Sequence, residues 1–140
     1  RPGTYPPAAG GRRSNEMNIT IPDISPGELY AGIVLNKDGA PRHHLILLPQ
    51  ITDVRLNWDD AMAWAEVVRG TLPTRQESAL LYANLKLAFE PTWYWTGEQY
   101  AGYASTAWGQ NFDGGNQGLI GKGYKGRVRA VRRVSIEVTK

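Results

Sequence analysis

Helical signals in this sequence are confined to one stretch, residues 57–90, which lies between two regions with strand patterns. Before it, residues 28–48 contain two apolar strands separated by Asp38-Gly39, a pair typical of a tight hairpin turn. After it, residues 92–140 contain short strands separated by glycine-rich turns. This order predicts an α+β fold, in which two helices pack against antiparallel sheets.

Both predicted helices have recognisable N-terminal caps. The Asn57 side chain can accept a first-turn amide hydrogen bond, so we expect a helix that begins at Trp58. Thr74 and Glu77 have the spacing of a capping box, in which each side chain accepts a hydrogen bond from the other residue's backbone amide. The second helix is expected to stop before Pro91, because proline lacks an amide donor and clashes with the preceding turn.

Length and composition exclude several classes of protein. A stretch of 140 residues is long enough for one domain and too short for two full cores. The absence of cysteine excludes a disulfide framework, a thiol nucleophile and zinc sites built on thiolates. There is no run of 18 apolar residues, so no membrane insertion is expected. No glycine pattern follows a strand and opens a helix, so we expect neither nucleotide binding nor another cofactor.

The titratable residues do not indicate a catalytic centre. We expect His43 and His44 to face solvent beside the hairpin turn, because no carboxylate lies at metal-ligand spacing from them. Candidate acids and bases are Glu90, Glu98 and Asp113, and no spacing makes two of them converge. The protein is therefore expected not to be an enzyme and to hold no metal.

Calcium is the alternative that this composition leaves open. The carboxylates of the glycine-rich region, together with Asn111 and Asn116, are hard oxygen ligands of the type that Ca²⁺ prefers. The same region lacks the acidic residue at every second position that is typical of a dedicated calcium loop.

Residues 1–27 have the composition of an extended arm. They contain five of the nine prolines and four glycines, which favours neither a helix nor a core segment. Residues 18–21 alternate like a short strand, which can pair with the open edge of another sheet. We therefore expect an arm at 1–27 and a domain at 28–140. The arm would contact other subunits, or other copies of this chain in a homo-oligomer, through Ile19, Ile21 and Ile24. Arg1 suggests that the chain was trimmed before this residue.

Positive charge is concentrated near the end of the chain. Residues 119–140 carry seven lysines and arginines against one glutamate. The segment 127–134 alternates basic and apolar residues, which is typical of a half-buried strand whose charged face is solvated. No helix-turn-helix, zinc-finger or aromatic RNA-binding pattern accompanies the charge, so no nucleic-acid partner is expected.

The region 93–124 has the composition of a binding surface. Tyrosines alternate with Asn, Gln and Glu on a framework that holds nine of the 16 glycines between residues 97 and 126. Tyrosine offers a large amphipathic contact, and the amides offer adaptable hydrogen bonds. We expect Trp95, Trp108 and Phe112 to lie inside, and Tyr94 to lie on the opposite face of its strand from Trp95.

Four segments in series carry a resemblance to a known family. They are Leu72-Pro73-Thr74-Arg75-Gln76-Glu77, Trp93-Tyr94-Trp95-Thr96, the run from Ala107 to Gly115, and the run from Arg127 to Arg133. In order and spacing, over about residues 28–134, the chain resembles the bacterial and phage C-type-lectin-like family typified by the C-terminal domain of the Lcl collagen-like protein.

The resemblance implies a C-type-lectin-like fold with paired terminal strands, two helices and a loop-rich second sheet that displays a ligand face. It implies no enzymatic activity. In some relatives, the amino acids at exposed positions vary while the framework residues between them stay fixed. By analogy, the resemblance implies a set of ligand-binding residues here. The composition of the region adds Tyr124 to that set. That set is Tyr94, Glu98, Tyr100, Gly109, Asn111, Asn116, Gly118, Leu119, Ile120 and Tyr124. The framework implied around it includes Trp95, Trp108, Phe112 and Arg129.

The resemblance also implies a location. Phage-encoded versions of this domain are virion or tail-associated proteins, so the sequence predicts a phage structural protein, a capsid decoration or tail-fibre component. It would assemble in the host cytoplasm and contact a host-surface glycan or protein receptor. The alternative is a bacterial carbohydrate-binding or surface-adhesion module. Glu90-Pro91-Thr92 lacks the amide of the calcium motif of animal sugar-binding lectins, which argues against calcium-dependent sugar binding.

Overall fold

The first sheet is built from a hairpin and the last strand of the chain. The computed structural model of the protein describes residues 18–136. Strands β1 (Leu29–Leu35) and β2 (Pro41–Leu47) pair antiparallel, and β2 pairs on its other edge with β6 (Val131–Ser135). The turn between β1 and β2 closes with Gly39 at φ 88°, a left-handed conformation that glycine adopts without strain. The predicted hairpin is therefore confirmed.

Two helices connect this sheet to the second one. Helix α1 spans Trp58–Val67, and the Asn57 side chain accepts a hydrogen bond from the Asp60 amide at 2.9 Å. Helix α2 spans Arg75–Leu85 and begins with the complete capping box of Thr74 and Glu77. Both predicted caps are confirmed. A 3-10 turn, Lys86–Ala88, follows α2, so the regular helix ends earlier than the proline alone predicts.

The second sheet contains three antiparallel strands in chain order, β3 (Trp93–Gln99), β4 (Thr106–Asn111) and β5 (Gln117–Gly121). Strand β5 is a short strand within the glycine-rich region, in a segment where the sequence pattern does not single out a strand. Gly109 and Gly118 are partners across β4 and β5, and the Trp93 ring lies against both of them. A Cβ atom at Gly118 would lie 3.2 Å from the Trp93 ring, so the glycines make room for an aromatic ring on the sheet.

Two apolar clusters form the core. One lies between the first sheet, α2 and the second sheet, and its members include Leu45, Leu47, Leu81, Phe89, Tyr94 and Phe112. The other lies beneath α1, and its members include Ala61, Ala65, Leu72, Trp95, Ala107 and Val128. Within residues 18–136 the molecule therefore has two helices and two antiparallel three-stranded sheets, which confirms the α+β class.

The basic run before the C-terminus does not form the solvated strand face that its alternation predicts. Strand β6 begins only at Val131, and Arg129 is 7% exposed. Arg132 forms an ion pair with Glu28, and Arg133 forms one with Glu77. The expectation fails because carboxylates and carbonyl oxygens of distant segments meet these arginines, which sequence spacing cannot indicate.

The described part of the arm is anchored at its base. Arg132 donates hydrogen bonds to both carboxylate oxygens of Glu28 and to the Asp23 carbonyl oxygen. Residues 18–24 belong to no helix or strand, and their exposed apolar side chains include Ile21 (60%) and Ile24 (37%). The rest of the predicted arm, 1–17, and the last four residues lie outside the described residues. Along 18–136, neither helix has the length and apolar character needed to cross a bilayer.

Candidate ligand-binding surface

A connected group of aromatic side chains lies on one face of the second sheet. The Tyr100 ring meets the Trp108 ring edge-on at 5.9 Å between centroids, and the Tyr103 ring lies 6.3 Å from Tyr100. Leu119 is the cross-strand partner of Trp108, so the two side chains share a face. Tyr103 is 68% exposed and Leu119 is 44% exposed. We call Tyr100, Tyr103, Trp108 and Leu119 the Tyr/Trp surface.

Arg75, the first residue of α2, forms the border of the Tyr/Trp surface. Its guanidinium carbon lies 3.5 Å from the centroid of the Trp108 ring, which is a close cation–π contact. Its Nε donates to Gln117 Oε1 at 2.9 Å, and its backbone amide donates to Glu98 Oε2 at 2.7 Å. The tryptophan ring is therefore held in place and bordered by a cation, a carboxylate and an amide.

This arrangement is suited to binding rather than to bond breaking. Aromatic rings present apolar faces and edges, while the Tyr hydroxyls and the bordering polar groups offer hydrogen bonds to a ligand. Glu98 is the bordering carboxylate, and its Oε2 already accepts from the Arg75 amide.

Three members of the predicted ligand-binding set lie at the Tyr/Trp surface, namely Glu98, Tyr100 and Leu119. Trp108 was expected inside, but it is half-buried and forms the centre of this surface. Tyr103 and Arg75 were not in the predicted set. The tyrosine-rich loop could have indicated Tyr103, whereas Arg75 has no local signal because its contact with Trp108 joins distant segments.

Tyr94 lies in the core rather than on display, at 7% exposure. Its ring meets Phe89 at 5.0 Å and Phe112 at 5.1 Å, both edge-on, and its hydroxyl accepts a hydrogen bond from the Glu90 amide. Trp95 and Phe112 are buried as expected. Both faces of β3 are covered, so placing Tyr94 opposite Trp95 did not make it accessible.

Gly109, Gly118 and Ile120 lie on the sheet face that Trp93 covers. Gly109 is buried, and a Cβ atom there would overlap the Ile120 side chain. Ile120 packs against the core cluster beneath α1. These three predicted positions are therefore occupied in internal packing, because the glycines admit a neighbouring ring rather than a ligand.

The remaining predicted positions lie elsewhere. Asn111 and Asn116 close the turn between β4 and β5, where Asn111 Nδ2 donates to Asn116 Oδ1 at 3.0 Å. Tyr124 is exposed, and its ring packs edge-on against Trp95 at 6.3 Å. The structure thus separates the predicted set into the Tyr/Trp surface, the β4–β5 turn and the region around Trp95.

The two histidines are buried, which corrects the expectation that they face solvent. His43 Nε2 lies 2.7 Å from Glu77 Oε2, and the His44 Nδ1 lies 2.7 Å from the Tyr30 hydroxyl. Burial, together with the nearby His43, lowers the pKa of His44. Both residues lie on the central strand of the first sheet, where His43 contacts Glu77 of α2 and His44 contacts Tyr30 of β1.

Glu77 is the centre of a buried ion cluster. Its carboxylate accepts two hydrogen bonds from Arg133 at 2.6 Å and one from the Thr74 amide, in addition to the contact with His43. Burial alone would raise the pKa of Glu77, but the hydrogen bonds from Arg133 and Thr74 outweigh it and lower that pKa. The cluster joins α2 to β2 and β6, which is a structural role.

Residues 18–136 contain no group of three His, Cys, Asp or Glu side chains arranged to hold a metal ion. In the β4–β5 turn, where calcium was the open alternative, Asn111 and Asn116 bond to each other. A scan against protein-family models matched none of them, and a search of curated proteins likewise found no match.

Proposed function

We propose that this chain is a non-enzymatic structural protein of a phage virion, a capsid decoration or tail-associated component with a C-type-lectin-like domain. The Tyr/Trp surface binds a receptor on the host surface, either a glycan or a protein. The N-terminal arm docks the domain onto neighbouring subunits. The observation that carries the proposal is the exposed aromatic surface bordered by fixed polar groups.

The order of elements supports the finer fold assignment. The hairpin β1–β2 and the last strand β6 share one sheet, in which β2 is central and β1 and β6 flank it. The two helices follow the hairpin directly, and the second sheet comes after them. The resemblance implies two helices followed by a second sheet, and these features support the assignment; it also implies paired terminal strands, whereas β1 and β6 each pair with β2.

The arm supports the assembly role. Arg132 holds Asp23 and Glu28 at its base, while Ile21 and Ile24 remain largely exposed. Exposed apolar side chains on an anchored segment favour burial against another protein. The occupant proposed here is a neighbouring subunit, either of this same chain or of another virion protein.

Binding at the Tyr/Trp surface can be tested with host cells and a glycan array. Tyr100→Ala and Tyr103→Ala should each weaken binding by about tenfold, because each removes an aromatic ring of the surface, half-buried at Tyr100 and exposed at Tyr103. Tyr124→Ala is the matched control, since it removes an exposed tyrosine beside Trp95. Equal binding by all three variants and the wild type would contradict the proposed surface.

The arm can be tested in the full chain. Replacing Ile19, Ile21 and Ile24 together by Asp should convert an assembled form into folded monomers, measured by light scattering after size exclusion. Leu87→Asp is the control, because Leu87 is almost fully exposed on the 3-10 turn after α2. If the triple substitution leaves the assembly unchanged, the proposed role of the arm is contradicted.

A bacterial carbohydrate-binding or surface-adhesion module is the second candidate, and the same aromatic surface favours it. Neighbouring Tyr and Trp rings beside amides are well suited to the apolar faces and hydroxyl groups of sugars. The two candidates differ in the arm, which is only a linker in an adhesion module. Glycan binding by a chain that is monomeric with its arm intact would favour the adhesion module.

A further inference from the structure

A small polar pocket lies between three segments that connect the two sheets. It is enclosed by the loop after β2, by the segment after the 3-10 turn and by the chain leading into β6, and its volume is about 260 Å³. Its lining includes Asp53, Glu90, Tyr94, Arg127 and Arg129. Tyr94 contributes to it from inside the core, so the pocket is separate from the Tyr/Trp surface.

Two arginine nitrogens at this pocket are buried without a partner. Neither Arg127 Nε nor Arg129 Nε has a hydrogen-bond acceptor among residues 18–136. The other nitrogens of Arg129 donate to backbone carbonyl oxygens, Nη1 to Ala88 at 2.8 Å and Nη2 to Leu48 at 2.9 Å. Within the described chain, the ion pairs closer than 4.0 Å join other residues.

An arginine buried in this way retains a charge that no carboxylate among residues 18–136 neutralises within 4.0 Å. Arg129 is 93% buried, and this burial lowers its pKa, although a guanidinium remains protonated at neutral pH. The face of Phe89, 5.3 Å away, compensates only in part. Buried charges are normally paired, because removing an ion from water is costly. The two Nε atoms are themselves closed to solvent, so an anion in the pocket would pair with the guanidinium groups as their side chains turn toward it.

The edge of the pocket indicates which anion it would accept. Asp53 and Glu90 line it and are both exposed, so two carboxylates stand near the two arginines. Because their charges offset those of the two arginines, the pocket lacks the excess positive charge that would favour a divalent anion such as sulfate over a monovalent one. Tyr94 adds a hydroxyl that accepts from the Glu90 amide and, with its pKa raised mainly by burial, keeps its own proton to donate.

We propose that this pocket binds the carboxylate group of a small ligand, with Arg127 and Arg129 as its cationic partners. The site goes beyond the proposed receptor binding and shares no residue with the Tyr/Trp surface. The carboxylate belongs either to a free organic acid or to a larger hydroxylated molecule such as an acidic sugar, whose hydroxyls would reach Asp53 and Glu90.

The experiment titrates the full chain with sodium acetate and with sodium glucuronate at constant ionic strength, following the arginine Nε–H signals by NMR. Saturable shifts at Arg127 and Arg129 are expected with both. Tighter binding of glucuronate identifies a hydroxylated ligand, and equal binding identifies the carboxylate alone. Absence of saturable shifts, or tighter binding of sulfate than of acetate, would overturn the proposal.

Two variants test the assignment of residues. Arg127→Gln should weaken acetate binding by about tenfold, because it removes one of the two cations that line the pocket. Arg42→Gln is the matched control, since this exposed arginine lies on β2 in another pocket, and it should bind as the wild type does. Wild-type affinity in Arg127→Gln would overturn the proposal.

Glu90, a carboxylate that lines the pocket, gives a test in which anion binding should become tighter instead of weaker. Glu90→Gln removes a negative charge while keeping the backbone amide that donates to Tyr94. Acetate should bind severalfold more tightly to this variant, and sulfate should gain more than acetate because of its larger charge. Weaker acetate binding by Glu90→Gln would contradict a site in which the arginines hold the anion.

Discussion

Two pairs of arginines in one basic run have opposite surroundings. On β6, Arg132 and Arg133 each form an ion pair with a glutamate, at 2.8 Å and 2.6 Å. Just before β6, Arg127 and Arg129 have no carboxylate within 4.0 Å among residues 18–136. The paired arginines tie the arm and α2 to the first sheet, whereas the unpaired ones line a pocket. An alternating basic pattern can therefore tie elements together at one end and line a pocket, the proposed anion site, at the other.

The largest effect on the free energy of unfolding is expected at Glu77, the buried partner of Arg133. Glu77→Ala removes the buried acceptor of Arg133, His43 and the Thr74 amide, and should lower the free energy of unfolding by about 3–5 kcal/mol. Urea denaturation measures this loss. Glu66→Ala, at an exposed position of α1, is the control and should change stability by less than about 0.5 kcal/mol. A loss equal to that of the control would contradict the structural role of the cluster.

The next test compares the two arginine types directly. Arg129→Met removes an unpaired charge but leaves the carbonyl oxygens of Ala88 and Leu48 without donors, so a loss of about 1–3 kcal/mol is expected. Arg133→Met leaves the buried Glu77 carboxylate without its partner and should cost about 3–5 kcal/mol. Urea unfolding of both variants checks the order. A larger loss of unfolding free energy for Arg129→Met than for Arg133→Met would contradict the expected order.

A smaller, pH-dependent effect is expected at His44. Burial lowers its pKa, so the unfolded chain binds a proton more readily than the folded chain does. The free energy of unfolding should therefore fall as the pH falls through the ordinary histidine pKa near about 6.5, until the lower folded pKa is passed. His44→Gln should flatten this slope in urea unfolding between pH 7 and 5.

The glutamates act in a separate range of pH. The pKa values of Glu28 and Glu77 are both lowered, so their contribution is present above the ordinary glutamate pKa and is lost only in more acidic solution. An unchanged slope in His44→Gln between pH 7 and 5 would show that another group is responsible for it.

The smallest effect is expected at the paired arginine nearer to solvent. Arg132→Gln breaks a partly exposed ion pair with Glu28, so the loss of unfolding free energy should be below about 1 kcal/mol and should shrink as salt is added. Arg55→Gln, another exposed arginine, is the control. A loss as large as that of Arg133→Met would mean that burial of the carboxylate does not decide the strength of these pairs.

The hairpin turn, the two helix caps and the α+β order could be predicted because each depends on residues close in the chain. The Thr74–Glu77 capping box is an example, since both partners lie within one helical turn. Strand β5 could not be predicted in this way. Its glycines suggest a loop, and only the Trp93 ring lying against Gly118 explains why a strand tolerates them.

The sequence predicted the residue types at the candidate site more accurately than it predicted which individual residues lie there. Tyr100 lies at the Tyr/Trp surface, but Tyr94 is packed between Phe89 and Phe112 in the core. Alternation along a strand separates its two faces, and it does not show which of them another element covers. Arg75 was missed for the same reason, because α2 brings it onto Trp108.

By itself, the sequence determined the caps, the hairpin, the exclusion of thiol chemistry and the tyrosine- and amide-rich composition of the second half. Those properties depend on residue type and on neighbours within a few positions. Only the tertiary structure decided that both histidines are buried, that Arg133 meets Glu77 and that Arg129 meets no carboxylate within the described chain. These outcomes depend on which distant segments come together, because desolvation and charge pairing are set by every atom around a group and not by its position in the chain.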